Sequence, residues 1–471
     1  MSKLEAFLAP SALAPEEVAL FATLLSIPTA GRYPVLELSP HQWKVRMFNA
    51  IQHRLLNLAR REPVLILFED AHWSDPTSIE LLDALIEQVP DLPVLLVISF
   101  RPEFVASWFG RPGVSLMALS RLDHWSATAL ATQVIKDHIL ASPLLDRIVS
   151  QSDGVPLFIE ELTRAVLEAP DPDPANTAFA VPTTLQASLM ARLDRLPAAK
   201  QVAQIGAVIG REFSHVLLTA ASGLPDPQLM AGLAQLAAAG LLFKRGMPPD
   251  AVYQFKHALV RDVVYASFTK IPRQTLHRRI GEAIKDQLAD RAEVEPEVIA
   301  YHFAQAGVSE TAIEWWGKAA ALAMQRSAFA EAIAHLEKAL ELSQALDGTE
   351  EQRLLRLRLQ ITYGNALRWA RGFGAPETKA AFVRARDLAG TIGDGPERIA
   401  ADFGLWSASL VSGDWSTLQE LAAAFLRNAE RWSDLPEGGL AHRVCGTTCW
   451  FMGDFIKARL RASALRRSPL I

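Results

Sequence analysis

Between Pro63 and Asp75 the chain runs through five consecutive apolar residues, Val64 to Phe68, straight into Glu69 and Asp70. A continuous apolar run bounded by a proline and a charge cluster reads as a strand buried on both faces. Carboxylates at the C-terminal edge of such a strand sit where open α/β sheets bind ligands. The flanks agree. Residues His41 to Arg61 place Trp43, Met47, Phe48, Ile51 and Leu55 at helical spacing and end in Arg60 and Arg61, as a helix C-terminus prefers. Asp75 and Pro76 supply an N-cap and an N1 proline for a helix from about Pro76 to Val89. A second buried strand, Val94 to Phe100, ends at Arg101 and Pro102, and Ser115 to Leu119 is a third candidate. Strand, helix, strand at this spacing implies a parallel sheet.

At 471 residues the chain has room for about three domains. Half of it is apolar and 21% is charged, the composition of a globular protein with ample core. No apolar run reaches the roughly 18 residues of a membrane span, and Glu5 interrupts the only apolar patch near Met1, a poor signal peptide. A formal charge of −5 exerts no global pull toward nucleic acid or an anionic membrane. Cys445 and Cys449 are the two cysteines, four residues apart in a helical stretch. They are too few for a zinc site or a disulfide scaffold, and they read as core thiols in a reducing cytoplasm.

Glu69 and Asp70, with Ala71, His72, Trp73 and Asp75 after them, then Arg101 after the second strand, then Asp153-Gly154-Val155-Pro156, together resemble the signal-transduction ATPases called STAND proteins. The resemblance runs in order over roughly residues 40 to 280. It is closest to modules attached to bacterial class III adenylate/guanylate cyclases and to LuxR-type regulators. It implies that Glu69 and Asp70 are Walker B acids, one holding Mg2+ and the next orienting water. It makes Arg101 the sensor-1 residue and Pro156 the lid-helix proline that contacts the base. The family often carries Asp where Glu69 stands, and the longer side chain changes the reach to a metal. On the residues alone, Arg101 could equally cap a helix or pair with Glu103, and the Gly-Val-Pro segment could be a plain helix start. ATP and Mg2+ are the cofactors of intact relatives. The phosphate loop they require, G-x-x-x-x-G-K-[ST], is missing, so this chain is expected to bind ATP weakly or not at all, with Glu69 and Asp70 as the Mg2+ ligands if nucleotide binds. Before residue 110 the only glycine is Gly31, and the one Gly-Lys pair, Gly317-Lys318, has Ala312 where the first loop glycine should stand. The family hydrolyses ATP; independent turnover is not expected here.

After a Pro- and Asp-rich linker, 169–182, helical stretches at Leu185–Leu196, Ala198–Ile209 and Pro227–Ala239 precede two short strands around Gly246 to Asp250. Residues 183–270 therefore look like a winged-helix domain. Its candidate recognition helix, Asp226 to Gly240, contains no Lys or Arg, and a reader without cations lacks the phosphate neutralisation that dominates DNA affinity. In STAND proteins the winged helix is an internal lid. By that resemblance His257 stands where a histidine opening the last helix touches nucleotide; on the residues alone an ordinary surface histidine fits as well.

From about 275 to 465 the pattern is helical and repetitive. Aromatic turn residues, Phe329, Phe373, Trp415 and Phe455, recur about 40 residues apart, the period of stacked helix pairs. They resemble degenerate tetratricopeptide repeats, which present a concave surface to a protein or peptide. The expected architecture is multidomain and mostly α: an incomplete P-loop-type parallel sheet with lid helices over 1–168, a winged helix, then an α-solenoid. Both ends read as cut, and no cyclase or DNA-binding output domain is present in this sequence. The leading expectation is a regulatory remnant of a signal-transduction ATPase whose repeats bind a protein partner. An active ATP-dependent switch of a cyclase-type system and a DNA-binding transcriptional regulator are the alternatives.

Overall fold

The computed structural model describes residues 1–11, 13–25, 27–29, 31–34, 36, 38–136, 140, 142–167, 184–346, 348–392, 395–429 and 436–465. The expected linker, 169–182, lies outside the described residues. Contacts divide the chain into two compact units, Met1–Ser115 with Ser309–Ile471, and Leu116–Val308. The described residues are mostly helical with two small sheets. Among the described residues no helix is long and apolar enough to cross a membrane.

In the first unit, helices Ser2–Leu8 and Pro15–Leu24 pack on the helix Pro40–Ala59 through Leu4, Leu8, Leu20, Phe21, Met47 and Ala50. That long helix opens on a reciprocal cap: Ser39 Oγ accepts from the Gln42 amide, and Gln42 Oε1 accepts from the Ser39 amide. Strand β1 (Val64–Phe68) follows, then the helix Pro76–Gln88 and strand β2 (Val94–Ile98). The two strands are parallel, in register from Val64 opposite Val94 to Phe68 opposite Ile98.

Burial on both faces does not occur. Phe68, Leu96 and Ile98 point to one face and pack with Leu82 and Ile86 of the helix and with Trp108, Phe104 and Phe109. Leu65, Leu67, Leu95 and Val97 point to the other face and are 46–65% exposed. A run of apolar residues cannot reveal that only one side of its sheet is covered. The third strand is also absent. Ser115 to Leu119 has no ladder partner among the described residues, and Leu116, Met117 and Leu119 are exposed. Local apolarity favours a strand there, but a strand exists only where a neighbour takes up its amides.

The same unit continues as four helix pairs among the described residues: Ser309–Gln325 with Phe329–Gln344, Glu350–Arg371 with Pro376–Ala389, Pro396–Ser412 with Trp415–Ala429, and Pro436–Phe451 with Phe455–Leu465. The second helix of each pair packs on the first of the next. The expected aromatic turns fall between the two helices of each pair. Their backbones enter the left-handed region at Ser327, Gly372, Gly413 and Gly453. Small residues set the approach: a Cβ on Gly404 would come within 2.1 Å of the Phe382 ring. Cys445 lies buried in the last pair, its Sγ 3.0 Å from the Ala422 carbonyl, and burial pushes its thiol up to about 11. It is a core thiol, as expected, whereas Cys449 is only partly buried.

The second unit begins with helices His124–Ile135, Ser142–Ser152 and Pro156–Leu167. Helices Leu185–Asp194 and Pro197–Ile209 lead to β3 (Glu212–Ser214), helices His215–Ser222 and Asp226–Ala238, then β4 (Leu242–Arg245) and β5 (Val252–Phe255). The three strands form an antiparallel sheet in the order β3-β5-β4. Phe213, Tyr253 and Phe255 close a core with Leu189, Val202, Leu236 and Val264. Helices Ala258–Ala266, Lys270–Gln287, Ala289–Val294 and Pro296–Gln305 complete the unit.

Candidate functional site

The ends of β1 and β2 are bolted together by one residue. Ser99 donates its amide to the Phe68 carbonyl at 2.9 Å and accepts the Ala71 amide on its own carbonyl at 2.9 Å. Its Oγ accepts the Asp70 amide at 3.0 Å. Those bonds hold Asp70 at φ 57°, a left-handed conformation that Asp adopts more readily than most residues. The chain therefore turns sharply just past β1, with Glu69 exposed and Asp70 half-buried at the C-terminal edge of the parallel pair.

Arg101 lies just past β2. Its guanidinium lies over the Trp73 ring, 5.4 Å from the centroid. His72 packs on Trp73 with ring centroids 5.0 Å apart, and both its ring nitrogens are buried without a hydrogen-bond partner. Asp75 caps the next helix, its carboxylate accepting the Ser78 amide at 2.8 Å and the Ser78 hydroxyl at 2.5 Å. Burial pushes this carboxyl up, but the two bonds that Ser78 donates outweigh it and hold its pKa below the usual value. Glu331, from the helix Phe329–Gln344, accepts the Thr77 amide at 2.8 Å, which ties the first turn of Pro76–Gln88 to the first helix pair.

Mg2+ is commonly held by one or two carboxylates together with phosphate oxygens and water. Glu69 and Asp70 fit that partial role. No group of three or more His, Cys, Asp or Glu able to hold a metal occurs among the described residues. The phosphate half of the site does not fit. Gly317 and Lys318 lie inside the helix Ser309–Gln325, where backbone amides are already spent on the helix, and Lys318 pairs with Glu314 at 2.7 Å.

Pro156 and His257 belong to the second unit. Asp153 and Gly154 turn through φ 49° and 69°, and Pro156 is the first residue of the helix Pro156–Leu167. A Cβ on Gly154 would lie 2.2 Å from the Leu122 carbonyl oxygen, so this turn demands glycine. Asp153 also pairs with Arg121. His257 occupies the N-cap position of Ala258–Ala266, and Lys256 reaches Glu160 of the Pro156 helix at 3.7 Å. Burial, then the Lys256 charge, lower the His257 pKa against the pull of Glu160 and Glu161, and its Nε2 is buried without a partner. The five predicted residues thus fall into two sets: Glu69, Asp70 and Arg101 on one sheet edge, Pro156 and His257 around one helix of the other unit.

Ser99, His72 and Trp73 escaped the sequence reading as site residues. Ser99 carried a signal, a lone hydroxyl directly after an apolar strand, but its role needs the register of β1 against β2.

No family model matches the chain. Over 361 residues it is 29% identical to an uncharacterised protein of Rhizobium meliloti (strain 1021), an alignment that covers 74% of this chain and 35% of that protein. The chain thus spans about a third of the length of the curated relative it matches. Among solved structures it is similar to a signal transduction ATPase with numerous domains, a STAND protein with a tetratricopeptide repeat sensor, from Pyrococcus horikoshii. There the identity is 15% and the TM-score 0.41, over 96% of this chain and 68% of that one.

Proposed function

We propose that this chain acts as a regulatory scaffold of the STAND type, with an impaired nucleotide edge and with helix pairs that bind a protein partner. One observation carries the reading: paired acids and an arginine converge on the C-terminal edge of a parallel strand pair, with Asp70 fixed there by Ser99. Open α/β sheets bind their ligands at such an edge. In this reading residues 1–168 derive from a nucleotide-binding domain, 183–270 are a winged-helix lid, and 275–465 are tetratricopeptide-like repeats. The element order around β3, β4 and β5 supports the winged helix. The cation-free helix Asp226–Ala238 argues that this lid does not read DNA. Attachment to a cyclase or LuxR-type output belongs to the same proposal.

Without the amide nest and lysine of a phosphate loop, the chain on its own binds Mg-ATP weakly or not at all. A ligand at 100 times its Kd stabilises a protein by about 2.7 kcal/mol. A thermal-shift titration with Mg-ATP should therefore show no saturable rise at micromolar nucleotide. A saturable rise that disappears in Asp70→Asn would instead establish a working nucleotide site.

A further inference from the structure

We propose that the first unit carries a small-molecule site for a planar aromatic carboxylate, in the cavity where the helices Pro40–Ala59 and Pro76–Gln88 meet the first two helix pairs. The cavity holds about 600 Å3, within the range of small-ligand pockets. Lys44, Phe48, Ser327, Phe329, Trp369 and Arg371 line it. The inference does not rest on the nucleotide reading, since none of these residues belongs to the Glu69–Asp70 edge.

Three features of the lining define the ligand. The Phe329 and Trp369 rings lie within 16° of parallel, with centroids 6.3 Å apart, yet Trp369 remains 57% exposed. Exposed indole surface on a cavity wall offers a flat apolar face to a flat ring. Two cations share that wall space. The Lys44 side chain is only 17% exposed and pairs with Glu80 at 2.5 Å; Glu80 also lines the cavity and is half-exposed, so a ligand carboxylate would compete with it for Lys44. Arg371 adds a second cation, held at the rim by Glu377 at 2.7 Å. A carboxylate entering the cavity meets both.

Ser327 is the third feature. It sits at φ 55°, in the turn where the later helix pairs place Gly413 and Gly453. A serine there strains the backbone, and its Oγ is buried without a hydrogen-bond partner. The free fold gains nothing visible from that hydroxyl, and a ligand oxygen would satisfy it once a small shift of the turn opens it to the cavity. Ala330, also in the lining, precedes Glu331, so a bound ligand would lie next to the Glu331 bond to the Thr77 amide.

The test is an isothermal titration of the full chain with 2-naphthoate. Two comparators separate the contributions: 2-naphthylmethanol keeps the ring without the charge, and cyclohexanecarboxylate keeps the charge without the flat ring. We expect saturable one-site binding of 2-naphthoate, with each comparator at least tenfold weaker. Trp369→Leu and Lys44→Met should each weaken it tenfold or more while the variants melt cooperatively. In the unaltered chain, hydrogen exchange should slow on saturation around Ser327 to Ile333 and Trp369 to Arg371. Absence of saturable heat up to millimolar 2-naphthoate would overturn the proposal. So would equal binding of the alcohol, or protection confined to the exposed strand face of β1 and β2, because either would reduce the effect to apolar adhesion.

Discussion

His277 has no exposed surface, and both its ring nitrogens are engaged: Nδ1 lies 2.9 Å from His302 Nδ1 and Nε2 lies 2.9 Å from the Tyr265 hydroxyl. Two facing Nδ1 atoms have room for one proton between them, so a neutral His277 completes the chain of bonds. Burial, then the charges of Arg273 and Arg261, push its pKa down to about 4. An unfolded histidine titrates near 6.5, so between those values the unfolded chain binds more protons and folding weakens as pH falls. At roughly 1.4 kcal/mol per pKa unit the loss is on the order of 3 kcal/mol, complete by about pH 4 and absent above pH 7. His335, also pushed down to about 4 by burial and by Lys338, adds in the same direction. Urea unfolding at pH 7.5, 5.5 and 4.5 should show the decline. His277→Phe should be less stable at every pH, because it removes the bonds to the Tyr265 hydroxyl and to His302, but should lose part of the slope. A variant with the parental slope would show that this pair does not titrate on unfolding.

At the scale of elements, the join between Pro156–Leu167 and Leu185–Asp194 rests on a buried ion pair. Glu161 and Arg192 are 1% and 3% exposed and form a salt bridge, and Arg192 also donates to the Ala239 carbonyl at 2.9 Å. Removing one member of such a pair typically costs about 3–5 kcal/mol, and after loss of Arg192 the ion pair left to Glu161 is the longer one to Arg164 at 3.9 Å. Arg192→Met should therefore lower stability by that much, while Arg192→Met with Glu161→Leu should recover most of it. Calorimetry on the three proteins decides the point, and a single variant as stable as the parent would show that water reaches the pair. Neither partner was legible as structural in the sequence, because contacts 31 residues apart leave no local pattern. The cap of Asp75 with Pro76 was legible and announces the helix that starts there, whereas the Ser39–Gln42 cap emerged only from the structure. The aromatic turns were legible too, because Phe329, Phe373, Trp415 and Phe455 recur at nearly constant spacing. Strand β3 and the helix His215–Ser222 were not, since three strand residues and eight helical ones are too short to show a period. Ser115 to Leu119 misled for the opposite reason, with strand-like residues but no partner ladder. At the candidate site, Glu69, Asp70 and Arg101 stood out as charges ending apolar runs. Lys44, Ser327 and Trp369 did not, because only packing brings them to one cavity.

The parallel pair sets a condition on the whole molecule. Leu65 stands opposite Leu95 and Leu67 opposite Val97, all four on the uncovered face. Among the described residues each strand has only the other as neighbour, so each also has an open edge. An exposed apolar face bounded by open edges is a template for pairing with another chain. The expected outcome is association of the full chain that grows with protein concentration and starts at this sheet. Replacing one cross-strand pair, Leu67→Lys with Val97→Glu, puts opposite charges side by side and removes two of the four apolar side chains. Exposed substitutions of this kind typically change stability by about 0.5 kcal/mol or less, so the variant should keep the parental melting temperature. Sedimentation velocity over a concentration series should show the parent shifting to larger species and the double variant staying monomeric. If the parent sediments as a monomer throughout, the face is harmless as it stands. If parent and variant associate alike, the contact lies elsewhere, and the exposed Trp450, Phe451, Ile456 and Leu460 of the last helix pair become the surface to alter next.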